Sequence, residues 1–423
     1  MITSKIDFNN PGIKFLISIV IGIIITIIGL IISTVTRLNK IKGLLTEAEN
    51  KWRNGFPKEA IYQYDEALKL IKSQKSKNYA IAKHRCGRCL IMVAQGEDTE
   101  RNLNKAILLI NEALNVYTKR RYPYKYSSSK SLLGNIYHDL SNFRNPEQNI
   151  IKAITNNKEA LSITTAKEHP YDYAAIQNNL GNCFSKFSAI KNPIYNLEQA
   201  ISHYMKSLSI RTIKDYPTDY YETIYNLATM YTQLGDITKN PDVILKSINI
   251  FNEVLEQNDI EHNPYVYGEI LNGLGVSYRL YSQYDKAVEN LNKSIELISK
   301  AREIFNKSNY PKNYAGFTLN IANSYAKLFI ISEDKQYLML SIDYYKEALS
   351  IYTMTKYPLL FAETHNNMGD SYSELYKINK NIDYLSLAKE SYQIALSIFT
   401  KSKYPSKYQQ IIPKINSLLS KGS

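Results

Sequence analysis

Cys86-Gly87-Arg88-Cys89 is where spacing in this sequence first invites chemistry. Two thiols at this interval can hold a metal ion or cycle between dithiol and disulfide. A structural zinc site needs about two further ligands, and no second Cys or His pair with ligand spacing supplies them. The six histidines, His84, His138, His169, His203, His262 and His365, show no HExxH or comparable interval. No Gly-rich phosphate loop, nucleophile elbow or recurring carboxylate pair is present. The reading is non-enzymatic, with no catalytic residue, no cofactor and no metal. Amide chemistry remains: asparagines, each offering donors and an acceptor, recur at fixed intervals, and the elements that carry them set those intervals.

Pro123, Pro170, Pro217, Pro264, Pro311, Pro358 and Pro405 follow one another every 47 residues. Tyr79, Tyr126, Tyr173, Tyr220, Tyr267, Tyr314 and Tyr408 keep the same step, broken only by Phe361. A small-residue series runs Gly87, Gly134, Gly181, Ala228, Gly275, Ala322, Gly369, and from Gly134 onward it has an apolar residue just before it and an aromatic one three positions after. On a helix these side chains share one face. They define a helix A whose small residue lets a neighbour approach closely. The second half of each unit has i, i+3/i+4, i+7 apolar spacing, as in Leu197, Ala200, Ile201, Tyr204 and Leu208, and defines an amphipathic helix B. The Tyr-Pro element ends one hairpin and opens the next, since proline cannot continue a helix but suits a first turn. Gly235-Asp236 and Asn240-Pro241 read as loop between A and B. In this register Cys86 fills the slot of Leu133, Leu180, Leu227 and Leu274, and Cys89 that of Ile136, Cys183 and Met230, so both are packing residues.

A period of this length means a repeat protein, whose units bury their apolar faces only by stacking. The sequence divides into a tail (1–14), a membrane span (15–35), a capping hairpin (38–75), seven repeats (76–405) and a C-terminal capping helix with its tail (406–423). The stretch Trp52…Gly55…Ala60…Tyr64…Ala67-Leu68 resembles the second half of a tetratricopeptide repeat (TPR). Asn178-Asn179-Leu180-Gly181…Phe184 and Asn366-Asn367-Met368-Gly369…Tyr372 resemble helix A of extended variants of that family. The resemblance covers roughly residues 40–420, with units longer than the usual repeat of about 34 residues. It implies an all-α, right-handed superhelical solenoid of antiparallel helix pairs that binds peptides or partner proteins on a concave face lined by A helices.

With the Leu–Gly–Tyr stripe buried, the residues two before and two after its leading apolar residue point to the opposite side of helix A, which in the family lines the groove. Asn178 and Asn182, Asn272, and Asn366 and Asp370 hold those positions, with Asn135 and Asn323 at the second of them in other repeats. Asn179, Asn226, Asn320 and Asn367 form a series at the groove edge. An amide ladder can pair with an extended peptide backbone whatever its side chains. Glu222, Glu269, Glu363 and Lys186 stand by to tune specificity, and the edge series could instead bond to the neighbouring repeat.

Phe15 to Val35 are 21 consecutive residues without a charge, matching the roughly 20 needed to cross a bilayer and exceeding a signal-peptide core. Arg37, Lys40, Lys42, Lys51 and Arg53 follow the span and Lys5 and Lys14 precede it, so the repeats are expected on the cytoplasmic side of a single-pass membrane protein. The net charge is +13. Residues 1–122 carry 20 Lys and Arg against 10 Asp and Glu, whereas residues 217–263 carry 2 against 8. The basic part is therefore membrane-proximal, where it can face anionic headgroups. Nucleic acid is set aside as a partner, because the aromatics occupy helix-periodic core positions and are not interleaved with Lys and Arg on one face. The expected function is a membrane-anchored scaffold that binds a protein or peptide. The competing reading is a sensor whose solenoid changes shape on binding a ligand.

Overall fold

The structure is a computed structural model and describes residues 11–94, 98–257, 260 and 263–419; His262 lies outside them. Among the described residues the regular structure is helical, in seventeen α-helices and without a strand. They are α1 (Pro11–Arg53), α2 (Pro57–Leu70), α3 (Lys77–Val93), α4 (Thr99–Leu114), α5 (Pro123–Leu140), α6 (Pro146–Leu161), α7 (Pro170–Ser188), α8 (Pro193–Leu208), α9 (Pro217–Thr238), α10 (Pro241–Leu255), α11 (Pro264–Tyr281), α12 (Ala287–Ile304), α13 (Pro311–Ser332), α14 (Lys335–Leu349), α15 (Pro358–Asn379), α16 (Ile382–Ile398) and α17 (Pro405–Leu419). Each of the seven periodic prolines is the first residue of an A helix, where its missing N–H is not needed. The preceding Tyr122, Tyr216, Tyr310 and Tyr357 lie outside the helical region, with φ between −131° and −141° and ψ between 55° and 63°, since proline disfavours a helical residue before it.

The turn from A to B has a period of its own. Asp98, Asn145, Asn192, Lys239, Lys286, Glu333 and Lys380 follow one another every 47 residues, and all have positive φ, from 39° to 56°. A left-handed residue reverses the chain at the same point in every repeat, yet none is glycine. Gly235-Asp236, expected as loop, is helical instead, since α9 runs on to Thr238. A Cβ at Gly235 would lie 2.5 Å from Ile244 Cγ1. The glycine serves the close approach of α10 and not a turn; the turn is made by Lys239 and by Asn240, whose side chain accepts from the Asp242 amide.

The chain forms two compact units, residues 1–183 and 184–423, the division falling inside α7. In the first, α1 to α6 pack in chain order, each on the next. Ile41, Leu45 and Ala48 of α1 join Ala60, Tyr64 and Ala67 of α2 and Cys86, Cys89 and Leu90 of α3 in one core. The expected span and the first capping helix are one continuous helix. Its apolar half is exposed, and by length and composition it can cross a membrane.

In the second unit, α9 pairs with α10, α11 with α12, α13 with α14 and α15 with α16, and each B helix packs on the following A helix. The A helices α9, α11, α13 and α15 also touch in succession. Gly275 admits Ile298, whose Cγ1 lies 2.5 Å from where a Cβ would stand. Buried hydroxyl pairs join three B helices to the next A helix: Ser247 to Ser277 (3.1 Å), Ser294 to Ser324 (3.0 Å) and Ser341 to Ser371 (3.0 Å). The periodic tyrosines have a further role. Tyr79 donates to Glu112 Oε2 at 2.5 Å, and Tyr126 and Tyr314 donate to Glu159 and Glu347, so the ring packs while the hydroxyl ties helix A to a carboxylate on helix B.

Candidate functional site

In the second unit the face of the A helices opposite the Leu–Gly–Tyr stripe holds a cavity of about 620 Å³, a size usual for ligand sites. Asn323, Asn367 and Asp370 line it, beside Arg279, Lys327 and Lys414. These side chains come from α11, α13, α15 and α17, and are adjacent because a 47-residue step returns each A helix to the same orientation.

The expected asparagines are brought together in pairs across repeats. Asn320 donates to Asn272 Oδ1 at 3.0 Å, and Asn367 donates to Asn323 Oδ1 at 3.1 Å. Lys414 takes the edge position in α17 and reaches Asn366 Oδ1 at 3.2 Å and Asp370 Oδ2 at 2.7 Å. Edge residues thus bond to groove residues of the preceding repeat, side chain to side chain. Asn366 also donates to Asn367 at 3.0 Å. The Tyr345 and Tyr392 hydroxyls donate to Asn323 (2.7 Å) and Asp370 (2.6 Å), fixing both acceptors from helix B. Asn272 is buried, and Asn226 is half-buried on α9.

In the first unit, Asn135 lines a smaller cavity of about 370 Å³ with His84, Arg85, Arg88, Lys125 and Ser131. Asn178 is 4% exposed, and its Oδ1 has no hydrogen-bond partner. Asn179 and Asn182 are half-buried on α7. The expected residues therefore do not meet in one place; Asn323, Asn367 and Asp370 share a cavity, and Asn135 lies in another.

Three residues at these cavities escaped the sequence reading. His84 occupies the same repeat position as Asn178, Asn272 and Asn366, a signal present in the register. Burial, with Arg88, Lys125 and Arg85 nearby, pushes its imidazole down to about 3, so it is neutral, and Nε2 has no hydrogen-bond partner. Arg279 occurs once in its position, so no series announced it, and Lys327 shares its position with Lys186. Burial, then the charge of Arg279, pushes the Lys327 amine down to about 8. The Cys86 and Cys89 thiols are buried and pushed up to about 12, which removes their nucleophilic form at neutral pH.

The sequence matches no protein-family model and no curated protein. Solved structures do match. The apo form of RapI aligns over 86% of this chain and 98% of its own, at 14% identity and a TM-score of 0.53. The apo form of the quorum sensor NprR from B. thuringiensis aligns over 90% of this chain and 99% of its own, at 14% identity and a TM-score of 0.50. The fold is TPR-like. Within it, the two cavities lie on the A-helix side of their units.

Proposed function

We propose that this TPR-like protein binds a peptide or partner protein on the A-helix face of its repeats and holds it at a membrane through residues 15–35, with the repeats on the cytoplasmic side. The observation that carries this reading is the cavity of about 620 Å³, where Asn323, Asn367 and Asp370 converge with Arg279, Lys327 and Lys414. Its polar groups are held by tyrosines and by neighbouring repeats, so they meet a ligand already oriented. Asn135, Asn178, Asn179, Asn182, Asn226, Asn272, Asn320 and Asn366 extend the same face over other repeats. Ligand-responsive regulation is the second reading, favoured by the likeness to a quorum sensor.

The test is affinity capture from native membranes with mass spectrometry, comparing the intact protein with a variant carrying Asn323→Ala, Asn367→Ala and Asp370→Ala. Loss of a partner from the variant alone supports the A-helix face. Identical recoveries refute it and move the contact to other surfaces. A ligand-dependent change in solution scattering separates the regulator from the scaffold.

A further inference from the structure

The two ends of the first hairpins differ in charge, and the helix pairing shows which end meets the apolar stretch of α1. Gln63 of α2 donates to Glu47 of α1 at 3.0 Å, and Lys51 pairs with Glu59 at 2.6 Å. These helices are therefore antiparallel, and α2 ends beside the residues that follow the apolar stretch. Arg85 of α3 meets Glu49 at 3.3 Å, and Asn78 shares a cleft with Leu38, Asn39 and Lys42. The start of α3 is thus level with residues 38–42. Tyr79 donates to Glu112 near the end of α4, and Val116 and Tyr117 pack on Ala80. The links from α2 to α3 and from α4 to α5 accordingly lie at one end of these hairpins, next to the apolar stretch.

Cations collect at this end without acids. Arg37, Lys40 and Lys42 follow the apolar stretch. Lys72 and Lys75 stand in the link from α2 to α3, and Lys77 opens α3. Lys119, Arg120 and Arg121 stand in the link from α4 to α5. Residues 36–42, 71–77 and 115–122 contain no Asp or Glu. All of these cations are exposed except Arg37, which is half-buried. The acids closest in sequence to the two links are already paired, Glu66 with Lys69 and Glu112 with Lys83. Lys119 donates to the Ser162 hydroxyl at 3.2 Å, and Arg121 lies over the Tyr122 ring at 5.3 Å; neither contact supplies a negative charge. In the next link, from α6 to α7, Lys167 is offset by Glu168. The opposite ends of the first two hairpins hold Asn54, Gly55 and Phe56 in one turn and Asp98 in the other.

Distance decides what these cations can meet. At 1.5 Å per residue, Lys42 stands about 10 Å beyond Val35, and the headgroup layer outside the hydrocarbon core is about 5–8 Å thick. With the apolar stretch embedded, cations level with residues 37–42 lie in that layer or within about one screening length of it. A nucleic-acid duplex or a folded acidic protein does not fit so thin a gap, whereas lipid phosphates already fill it. The orientation rule counts cations close to a span in sequence. It accounts for Arg37, Lys40 and Lys42 but not for the two links.

We infer that the links from α2 to α3 and from α4 to α5 form, with Arg37, Lys40 and Lys42, a docking surface for anionic phospholipid headgroups. Lysines meet the phosphates as point charges and arginines as planar forks. This rests on the membrane-anchored reading above and goes beyond it, since the repeats are held to the leaflet by their own loops and the hold depends on the charge of the leaflet.

The experiment uses the full chain in mixed micelles with equal amounts of phosphatidylcholine and phosphatidylglycerol. Retained lipids are counted by mass spectrometry of the intact protein–lipid complex. Wild-type protein is expected to retain phosphatidylglycerol about tenfold over phosphatidylcholine. Lys72→Gln, Lys75→Gln, Lys77→Gln, Lys119→Gln, Arg120→Gln and Arg121→Gln together should cut that preference at least about fivefold, the effect of one cation near an anionic surface. Lys58→Gln with Arg101→Gln removes charge at the opposite end of the hairpins and should leave the preference intact. Trp52 emission reports whether each variant is folded; should the combined variant not fold, the two links changed separately carry the same test. Equal retention of both lipids by wild-type protein, or an unaltered preference in the folded link variants, overturns the docking surface and leaves the anchor standing. If millimolar phosphate displaces phosphatidylglycerol while chloride of equal ionic strength does not, the site is one for a free anion and the lipid assignment falls. Retention of no lipid, with the protein soluble once detergent is removed, overturns both readings.

Discussion

Protonating His84 should loosen the first unit alone. The imidazole is 7% exposed, lies edge-on to Tyr117 at 6.2 Å between ring centres, and is surrounded by Arg85, Arg88 and Lys125. Its folded value of about 3 lies below the ordinary 6.5, so between these values the unfolded chain binds the extra proton and stability rises with pH. That stability is complete above pH 6.5 and is lost as pH falls toward 3. Integrating from pH 8 to pH 4.5 gives roughly 2–3 kcal/mol, about a hundredfold in the unfolding constant. The assay follows from another feature. Trp52 is the only tryptophan; its ring lies under Arg88 at 4.2 Å and its Nε1 donates to Met92 Sδ at 2.9 Å. Excitation at 295 nm during urea titration therefore reports the first unit. His84→Asn supplies the residue found at the equivalent positions 178, 272 and 366 and should flatten the loss between pH 8 and 4.5 by that amount. Equal pH slopes for the two proteins would refute the burial argument.

Three other outcomes are expected. Glu333→Gly removes a left-handed non-glycine residue that costs about 1–2 kcal/mol; allowing for glycine's greater freedom in the unfolded chain, stability should rise by roughly 0.5–1 kcal/mol in thermal melts, while Asn192→Gly changes little. Gly275→Val drives a Cβ to 2.5 Å from Ile298 Cγ1 and 3.1 Å from the Ser294 carbonyl and should cost about 2–3 kcal/mol; Gly316→Ala, whose nearest neighbour is the Tyr352 hydroxyl at 3.2 Å, should be neutral or stabilising by up to about 1 kcal/mol, both read by urea denaturation. A chain lacking residues 11–36 should move from the membrane fraction to the supernatant on centrifugation of lysed cells.

The helical hairpins were legible because proline leaves the backbone little choice: Pro123 and its six successors can open a helix but not continue one, and the apolar periods on either side fix which face is buried. The A-to-B turns were not, because Asp98, Lys286 and Glu333 adopt positive φ under the closure of the hairpin and carry no glycine to mark it. Gly235 was misread for the converse reason, being small for packing. The register put the asparagines opposite the Leu–Gly–Tyr stripe of helix A, but their bonds were not visible, since Asn367 reaching Asn323 depends on the offset between neighbouring repeats and not on either helix alone. Arg279 was invisible to periodicity because no other repeat carries an arginine at its position, whereas Lys327 shares its position with Lys186.

The continuity of α1 turns the first hairpin into a lever. Helix runs without a break from Pro11 to Arg53, and its last sixteen residues make an arm of about 24 Å beyond the apolar stretch. No joint lies between the two parts. With the apolar part embedded in a bilayer, a change of about 10° in tilt would carry the far end of the arm through about 4 Å, and with it Ile41, Leu45 and Ala48, which are locked into the core of the first repeats. Bilayer thickness and the mechanical state of the repeats are then geared to each other by one rod, and a flexible insertion after Val35 would disconnect them.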